Sequence, residues 1–402
     1  MTDYKWLKDG GVTAAQGYAA AGVSAGIKAS GKKDMALLVS AVKAQLGATF
    51  TTNQVKAAPV KLSMEHAKKG EVRAVILNAG NANACTGVRG INDAKAMVQE
   101  TATRLGCKKH EVLVCSTGRI GIPMPMPKIL RGVRKLVKEL ARNGGKAAAK
   151  AIMTSDTYVK ECAATLQIDG KNVTIGGMAK GAGMIHPNMA TMLSCITTDA
   201  AIDRKTLIKL AGECVEKTFN RISVDGDTST NDTVFVLANG MAANGVLNKN
   251  HPELFKFEAV LTEVMRKLAR LIIEDGEGIS KVVELTIQGA RNDLDAKRAA
   301  ETIARSPLVK SSWAGNDPNW GRLMDALGYS QAQVKEEMID IYYNGLIGVK
   351  GGLASATPMS RLRKEVRNRN FCITIDLHQG KGCYGLLVND LTEEYVTLNK
   401  GE

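Results

Sequence analysis

An α+β fold, built as packed layers of helix and sheet, is what this sequence predicts, and three observations carry that reading. Strand-like and helical patterns come in grouped blocks rather than in regular βα alternation, which argues against a doubly wound parallel sheet. The strand-like runs are short and rich in β-branched or aromatic residues. The helical runs repeat their apolar residues about every three to four positions. At 402 residues the chain can bury a large core and has the length of two or three domain-sized units.

In chain order, Val72–Leu77 and Val112–Cys115 read as strands, with Asp93–Leu105 a helix between them. Lys128–Ala141 is the clearest helix. Ile129, Leu130, Val133, Leu136, Val137 and Leu140 form one apolar face, and Arg131, Arg134, Lys135 and Lys138 make the wet one. Asn143-Gly-Gly145 follows as either a helix cap or a hinge. Lys205–Phe219 and Glu258–Ile273 read as helices, with the strand Val234–Ala238 and the turn Asn239-Gly240 between them. Val282–Gln288 is a strand and Leu294–Arg305 a helix. Met338–Tyr343, Phe371–Leu377 and Tyr395–Leu398 complete the strands, and Asn344-Gly345 is a turn signal after the first of them. No low-complexity linker or internal repeat divides the chain.

Composition narrows the function classes. Hydrophobic residues make up 45% and charged residues 23%, as in ordinary soluble proteins, so cytoplasm is the expected location. No apolar run approaches the ~18–20 residues that span a bilayer, and Met1-Thr-Asp-Tyr-Lys-Trp6 has no export-signal pattern. The eight cysteines include no CxxC pair and the five histidines no HExxH, so reduced, mostly buried thiols and no metal site are expected. The net charge of +14 would suit nucleic acid, anionic substrates or nothing beyond a solvated surface. Aromatic platforms and known reading modules are missing, so no nucleic-acid role is expected.

Two motifs are decoys. Gly22-Val-Ser24-Ala-Gly26 fits the GxSxG of a hydrolase elbow, but Lys28-Ala-Ser-Gly-Lys-Lys33 follows it instead of a helix, so Gly and Ala packing in a loop explains it better. Asp225-Gly-Asp227-Thr-Ser229-Thr-Asn231-Asp232 faintly suggests a calcium loop, yet Thr230 stands where that loop needs Gly and Val236 where it needs Glu. Turns leading into Val234–Ala238 account for it. No phosphate-binding or dinucleotide fingerprint occurs.

The most informative stretch is Lys180-Gly-Ala-Gly-Met-Ile-His-Pro-Asn-Met-Ala-Thr191-Met-Leu193. Read by itself, Thr191 before Met192-Leu-Ser-Cys-Ile196 is simply a strand residue. The stretch nevertheless resembles the self-cleavage segment of the ornithine acetyltransferase family, also called the bifunctional glutamate N-acetyltransferase or ArgJ family. Gly11-Val-Thr-Ala-Ala-Gln-Gly-Tyr18, Asn78-Ala-Gly-Asn-Ala-Asn-Ala-Cys-Thr-Gly87, Cys115-Ser-Thr-Gly118, Asp225-Gly-Asp-Thr-Ser-Thr-Asn-Asp-Thr233 and Asn316-Asp-Pro-Asn-Trp-Gly-Arg322 resemble further family segments, in the family's order, across nearly the whole chain.

The resemblance implies the family's layered α/β sandwich, with the logic of N-terminal-nucleophile hydrolases. It also implies autocatalytic cleavage between Ala190 and Thr191, giving an α segment of residues 1–190 and a β segment of 191–402 that associate as α2β2 or larger. A hydroxyl is a poor nucleophile near neutrality and needs a neighbouring base. Cleavage would expose the Thr191 α-amine, whose unperturbed pKa of ~7.7–8.0 suits that task. The implied reaction is ping-pong: Thr191 takes acetyl from N2-acetyl-L-ornithine and passes it to L-glutamate, with no metal or organic cofactor. Some family members also use acetyl-CoA as donor, which nothing in the sequence decides.

By the same resemblance Thr117 and Gly118 form the oxyanion hole, while Thr154, Lys180, Thr191, Glu277 and Asn399 contact substrate. The Val112–Gly118 run, a strand ending in a glycine turn, could present a backbone N–H and a hydroxyl. Lys180 lies among Gly177, Gly181 and Gly183, where a substrate carboxylate could approach closely, and Glu277 in Glu274-Asp-Gly-Glu-Gly278 could hold a substrate amine. Two departures stand out: the sequence stops at Glu402, so the Ser or Thr that the family usually carries about five residues beyond Asn399 is absent or the tail is incomplete, and Arg119 replaces an apolar residue beside Gly118. An amidase or aminopeptidase, handing the acyl group to water, and an inactive binding protein on the same scaffold are the rival readings.

Overall fold

The computed structural model describes residues 3–186 and 192–400. The chain forms two compact units: Met1–Gly181, Asn188–Asn220 and Thr228–Ile272 in the first, Ala182–Pro187, Arg221–Asp227 and Ile273–Glu402 in the second. Both are α+β, as expected from the grouped patterns.

The first unit is built on a nine-stranded sheet. Its order is Tyr4–Trp6, Lys160–Ile168, Lys171–Lys180, Leu193–Thr198, Thr233–Ala238, Met35–Phe50, Glu71–Asn81 and Val112–Arg119, with Tyr18–Val23 also paired to Met35–Phe50. Met35–Phe50 is long enough to serve Tyr18–Val23 and Glu71–Asn81 near its start and Thr233–Ala238 near its end. Leu37, Ile76 and Val114 face the helices Ala58–Ala67, Gly87–Leu105 and Met126–Lys138. Their neighbours Leu38, Val75 and Cys115 face the opposite core, with the helix Gly145–Ile152. A sheet covered on both faces needs apolar residues at successive positions, and Val75-Ile-Leu77 supplies them.

Several boundaries move. The helix expected from Asp93 begins at Gly87, and the basic helix runs from Met126 to Lys138 with Ile129, Val133 and Leu136 buried. Since that helix stops at Lys138, Asn143-Gly-Gly145 does not cap it. The segment is a turn pinned against Tyr18–Val23 by a bridge from Ala141 to Ala20, and a Cβ on Gly144 would meet the Ala20 carbonyl oxygen at 1.8 Å. Ser24 lies in the loop after Tyr18–Val23, and Gly22 is required by the close approach of the Ala147 carbonyl.

The second unit has a seven-stranded sheet ordered Leu353–Ala354, Leu346–Lys350, Asp340–Tyr343, Asn370–Asp376, Val282–Ala290, Gly382–Asn389 and Ile222–Ser223. Val283, Leu285 and Ile287 point into a core with Asp293–Arg305, Pro307–Ala314, Trp320–Gly328 and Met359–Val366, while Glu284 and Gln288 are exposed. Asn344 and Gly345, at φ +47° and +81°, make the tight turn between Asp340–Tyr343 and Leu346–Lys350.

The strand expected at Tyr395–Leu398 is a helix, Glu393–Leu398. The Thr392 hydroxyl caps it by accepting the Tyr395 N–H, and Glu393 and Glu394 favour its first turn; these end signals outweigh the β-branched content.

All eight cysteines are free, and four (Cys115, Cys162, Cys195 and Cys214) are buried, fewer than the sequence suggested. Burial pushes Cys162 and Cys195 up to about 12, which leaves them as inert thiols. Among the described residues no helix is long and apolar enough to cross a membrane.

Candidate active site

Polar side chains collect where the first unit's strands end. Val112–Arg119 runs parallel to Glu71–Asn81, and it continues past Cys115 through Gly118 instead of ending in a glycine turn. A register shift at Asn81 lets the strand carry on. Gly118 pairs with Gly80 and has φ +129°, and a Cβ there would sit 2.4 Å from the Gly80 carbonyl carbon. Only glycine fits.

Thr117 beside it is buried, and its Oγ1 accepts a hydrogen bond from Lys180 Nζ at 3.3 Å. An ammonium has no acceptor capacity, so the Thr117 hydroxyl keeps its own proton to donate elsewhere. The strand residue before it is fixed as well: Ser116 donates to Asn78 Oδ1 at 2.6 Å, and its carbonyl accepts from Asn231 Nδ2 at 2.8 Å.

Lys180 ends the strand Lys171–Lys180 and is buried. Asp156 organises its surroundings. One carboxylate oxygen accepts from Gly181 N at 2.7 Å and Lys160 Nζ at 2.6 Å, and the other accepts from Thr154 N at 2.8 Å. Burial alone would raise this carboxyl; the Lys180 and Lys160 ammonium groups and the Gly181 N–H more than offset it and hold it at about 2. Thr154, itself exposed, is thereby tied to the residue that follows Lys180.

Ala190 and Thr191, on which the expected cleavage and nucleophile fall, lie outside the described residues. The chain that follows them is firmly set. Leu193 pairs with Lys180 on one side and Thr233 on the other, and Met192 N–H donates to the fully buried Asp232 at 2.9 Å. Burial drives the Asp232 carboxyl well above the ordinary range, against the Met192 N–H and Lys180, which pull it down.

Glu277 and Asn399 meet in the second unit. Asn399 Nδ2 donates to Glu277 Oε2 at 3.2 Å, and Glu277 N–H donates to Ala182 O at 2.9 Å. A Cβ on Gly183 would lie 2.4 Å from the Glu277 carboxylate, so this glycine makes room for the acid. Gly278, at φ +61°, passes within contact of the Tyr395 backbone.

The sequence reading missed Asp156, Asp232, Asn231 and Asn78 as organising residues. Asp156 has no spacing signal. The other three lie in stretches visible as dense polar residues, which were read as turns or as family segments without individual roles. Asp225, in the calcium-like stretch, accepts the N–H groups of Met184, Ile185 and Asp227, and among the described residues no cluster of His, Cys, Asp or Glu could hold a metal ion.

Comparison with known proteins gives a consistent result. The model of the ArgJ family matches residues 19–401. The arginine biosynthesis bifunctional protein ArgJ of Caldanaerobacter subterraneus subsp. tengcongensis is 45% identical over 397 residues, covering 98% of either chain. That of Geobacter sulfurreducens is 46% identical over 385 residues, 96% of this chain and 98% of its own. Among solved structures, ornithine acetyltransferase of Mycobacterium tuberculosis complexed with ornithine is 44% identical, with a TM-score of 0.44, over 48% of this chain and all of that one.

Proposed function

The chain belongs to the ArgJ family, and from that premise we propose that it transfers acetyl from N2-acetyl-L-ornithine to L-glutamate in arginine biosynthesis, with Thr191 as the acetyl carrier. The observation that carries this reading is the Lys180–Thr117 hydrogen bond beside Gly118. A fixed hydroxyl whose proton is free, next to a glycine backbone, suits an oxyanion far better than it suits an ordinary strand end.

Processing comes first. The Thr191 hydroxyl attacks the Ala190 carbonyl, the peptide nitrogen takes up a proton as the C–N bond breaks, and the resulting ester is opened by water. This yields residues 1–190 and 191–402, which stay together and associate further as α2β2 or larger, in the cytoplasm. The new α-amine then accepts the Thr191 hydroxyl proton while the oxygen attacks the acetyl carbonyl of the donor. Thr117 O–H and Gly118 N–H stabilise the developing oxyanion, and ornithine leaves carrying the proton. Glutamate's amine attacks the acetyl ester in turn, releasing N-acetylglutamate and restoring Thr191.

Lys180 and Thr154 hold the common amino-acid end of the substrates, and Glu277, steadied by Asn399, receives the ornithine ammonium. Thr191→Ala should abolish both cleavage and transfer. The check is label exchange between glutamate and acetylornithine by the purified variant; transfer that survives the substitution would sink the mechanism. If the wild type made free acetate whether or not glutamate was present, the protein would be a hydrolase instead.

A further inference from the structure

The calcium-like stretch Asp225–Thr233 grips the chain before and after the proposed cut. Upstream, Asp225 accepts the Met184 N–H through one carboxylate oxygen at 2.5 Å and the Ile185 N–H through the other at 2.9 Å. Beside that pair, Ile185 O accepts from Val224 N at 2.8 Å, and His186 Nδ1 lies 3.1 Å from Ser223 Oγ. Downstream, Asp232 Oδ1 accepts the Met192 N–H at 2.9 Å, and Thr233 N donates to Met192 O at 3.1 Å. The upstream grip lies within the second unit and the downstream grip within the first. Ile185 and Met192 are seven positions apart, and so are Asp225 and Asp232, which accept their N–H groups. Ala190 and Thr191 fall between the two grips in the chain, outside the described residues.

The upstream grip dictates backbone geometry. Met184 has φ +58°, in the left-handed region that a residue with a side chain rarely enters. A methionine stays there only where its surroundings over-determine it. The two Asp225 bonds and the Val224–Ile185 bond supply that constraint. The Asp225 carboxylate is itself fixed, since it also accepts from Asp227 N at 3.2 Å and from the Tyr395 hydroxyl at 3.4 Å.

We propose that Asp225 and Asp232 are positioning residues for self-cleavage, holding the chain on either side of Ala190–Thr191 so that the Thr191 hydroxyl meets the Ala190 carbonyl. The inference rests on the cleavage reading and adds no covalent step to it. Attack within a chain is steeply sensitive to placement, an error of about 1 Å costing about 10²-fold in rate. The two acids then part in their later roles. Once the bond is cut, Asp225 holds only the end of residues 1–190, so transfer no longer needs it. Asp232 still holds the residue after the nucleophile and serves both steps.

The test follows the full-length chain made in a cell-free system. Cut and uncut forms are separated under denaturing conditions with time, and acetyl transfer is read per cut chain. Asp225→Ala should slow cleavage by about 10- to 100-fold, while kcat/KM per cut chain changes less than about threefold. Asp225→Asn keeps one accepting oxygen and should recover part of the cleavage rate. Asn292→Ala is the control: it removes the cap of the helix Asp293–Arg305 in the same unit and should leave cleavage at the wild-type rate. If Asp225→Ala is cut as fast as wild type, or Asn292→Ala is slowed as much, Asp225 is only a fold strut and the proposal falls. It falls too if transfer per cut chain drops as steeply as cleavage. Asp225→Ser, which cannot reach both N–H groups, takes the place of the alanine variant should that not fold. A wild-type chain that is never cut would overturn the cleavage reading itself, a result visible before any variant is made.

Discussion

At the scale of single residues, the account turns on who donates to whom around Thr117. Lys180 can only donate, so the threonine proton is left for another acceptor, in the proposed mechanism the oxyanion. Thr117→Ala should therefore lower kcat by about 10²–10³-fold with little change in KM, and Thr117→Ser should keep most of the rate. Steady-state kinetics with acetylornithine and glutamate will decide; a change in KM alone would mean that Thr117 binds substrate and does not stabilise the oxyanion. Residues proposed to act through their own chemistry could be named from the sequence, Thr117, Gly118 and Lys180 among them, because the family segments that contain them are contiguous. Asp156 could not. It works by bringing Thr154, Lys160 and Gly181 together, and no local pattern announces a contact of that kind.

Elements repeat the lesson with different physics. The basic helix was plain because its periodicity and its burial agree, whereas Tyr395–Leu398 was misread because three β-branched or aromatic residues concealed a short, well-capped helix. The segment 182–186 shows how a stretch of chain can be bound by one titratable group. His186 is buried, its Nδ1 lies 3.1 Å from Ser223 Oγ, and Ile185 O accepts from Val224 N at 2.8 Å. Burial, then Arg305, Lys297 and Lys310, push the imidazole down to about 4. Above the unperturbed value of ~6.5 both folded and unfolded chains hold it neutral, so it does not affect stability there. As pH falls below that value the unfolded chain takes the proton first, and stability is lost progressively down to about pH 4. Between pH 7 and pH 4.5, wild type should lose about 2–3 kcal/mol more than His186→Gln, measured by urea unfolding at the two pH values. Parallel losses in the two proteins would remove His186 from the argument.

For the whole molecule, the fold class was legible and the strand order was not. Grouped patterns and two-faced apolar runs suffice for α+β, but nothing local tells Leu193–Thr198 that its partners are Lys171–Lys180 and Thr233–Ala238. That order matters for the proposed cut. Leu193–Thr198 and Thr233–Ala238 belong to residues 191–402, yet they sit in the sheet between Lys171–Lys180 and Met35–Phe50, which belong to residues 1–190. The two segments share one hydrogen-bonded sheet, so after cleavage they should purify together and part only in denaturant.

The intact mass of the purified protein under denaturing conditions, before and after incubation with acetylornithine in the absence of glutamate, tests the central claim most directly. The account predicts two fragments, residues 1–190 and 191–402, together heavier than the chain by one water, and a single acetyl group gained by the C-terminal fragment alone. An uncut chain that still transfers acetyl, or an acetyl group found on any residue other than Thr191, would contradict it.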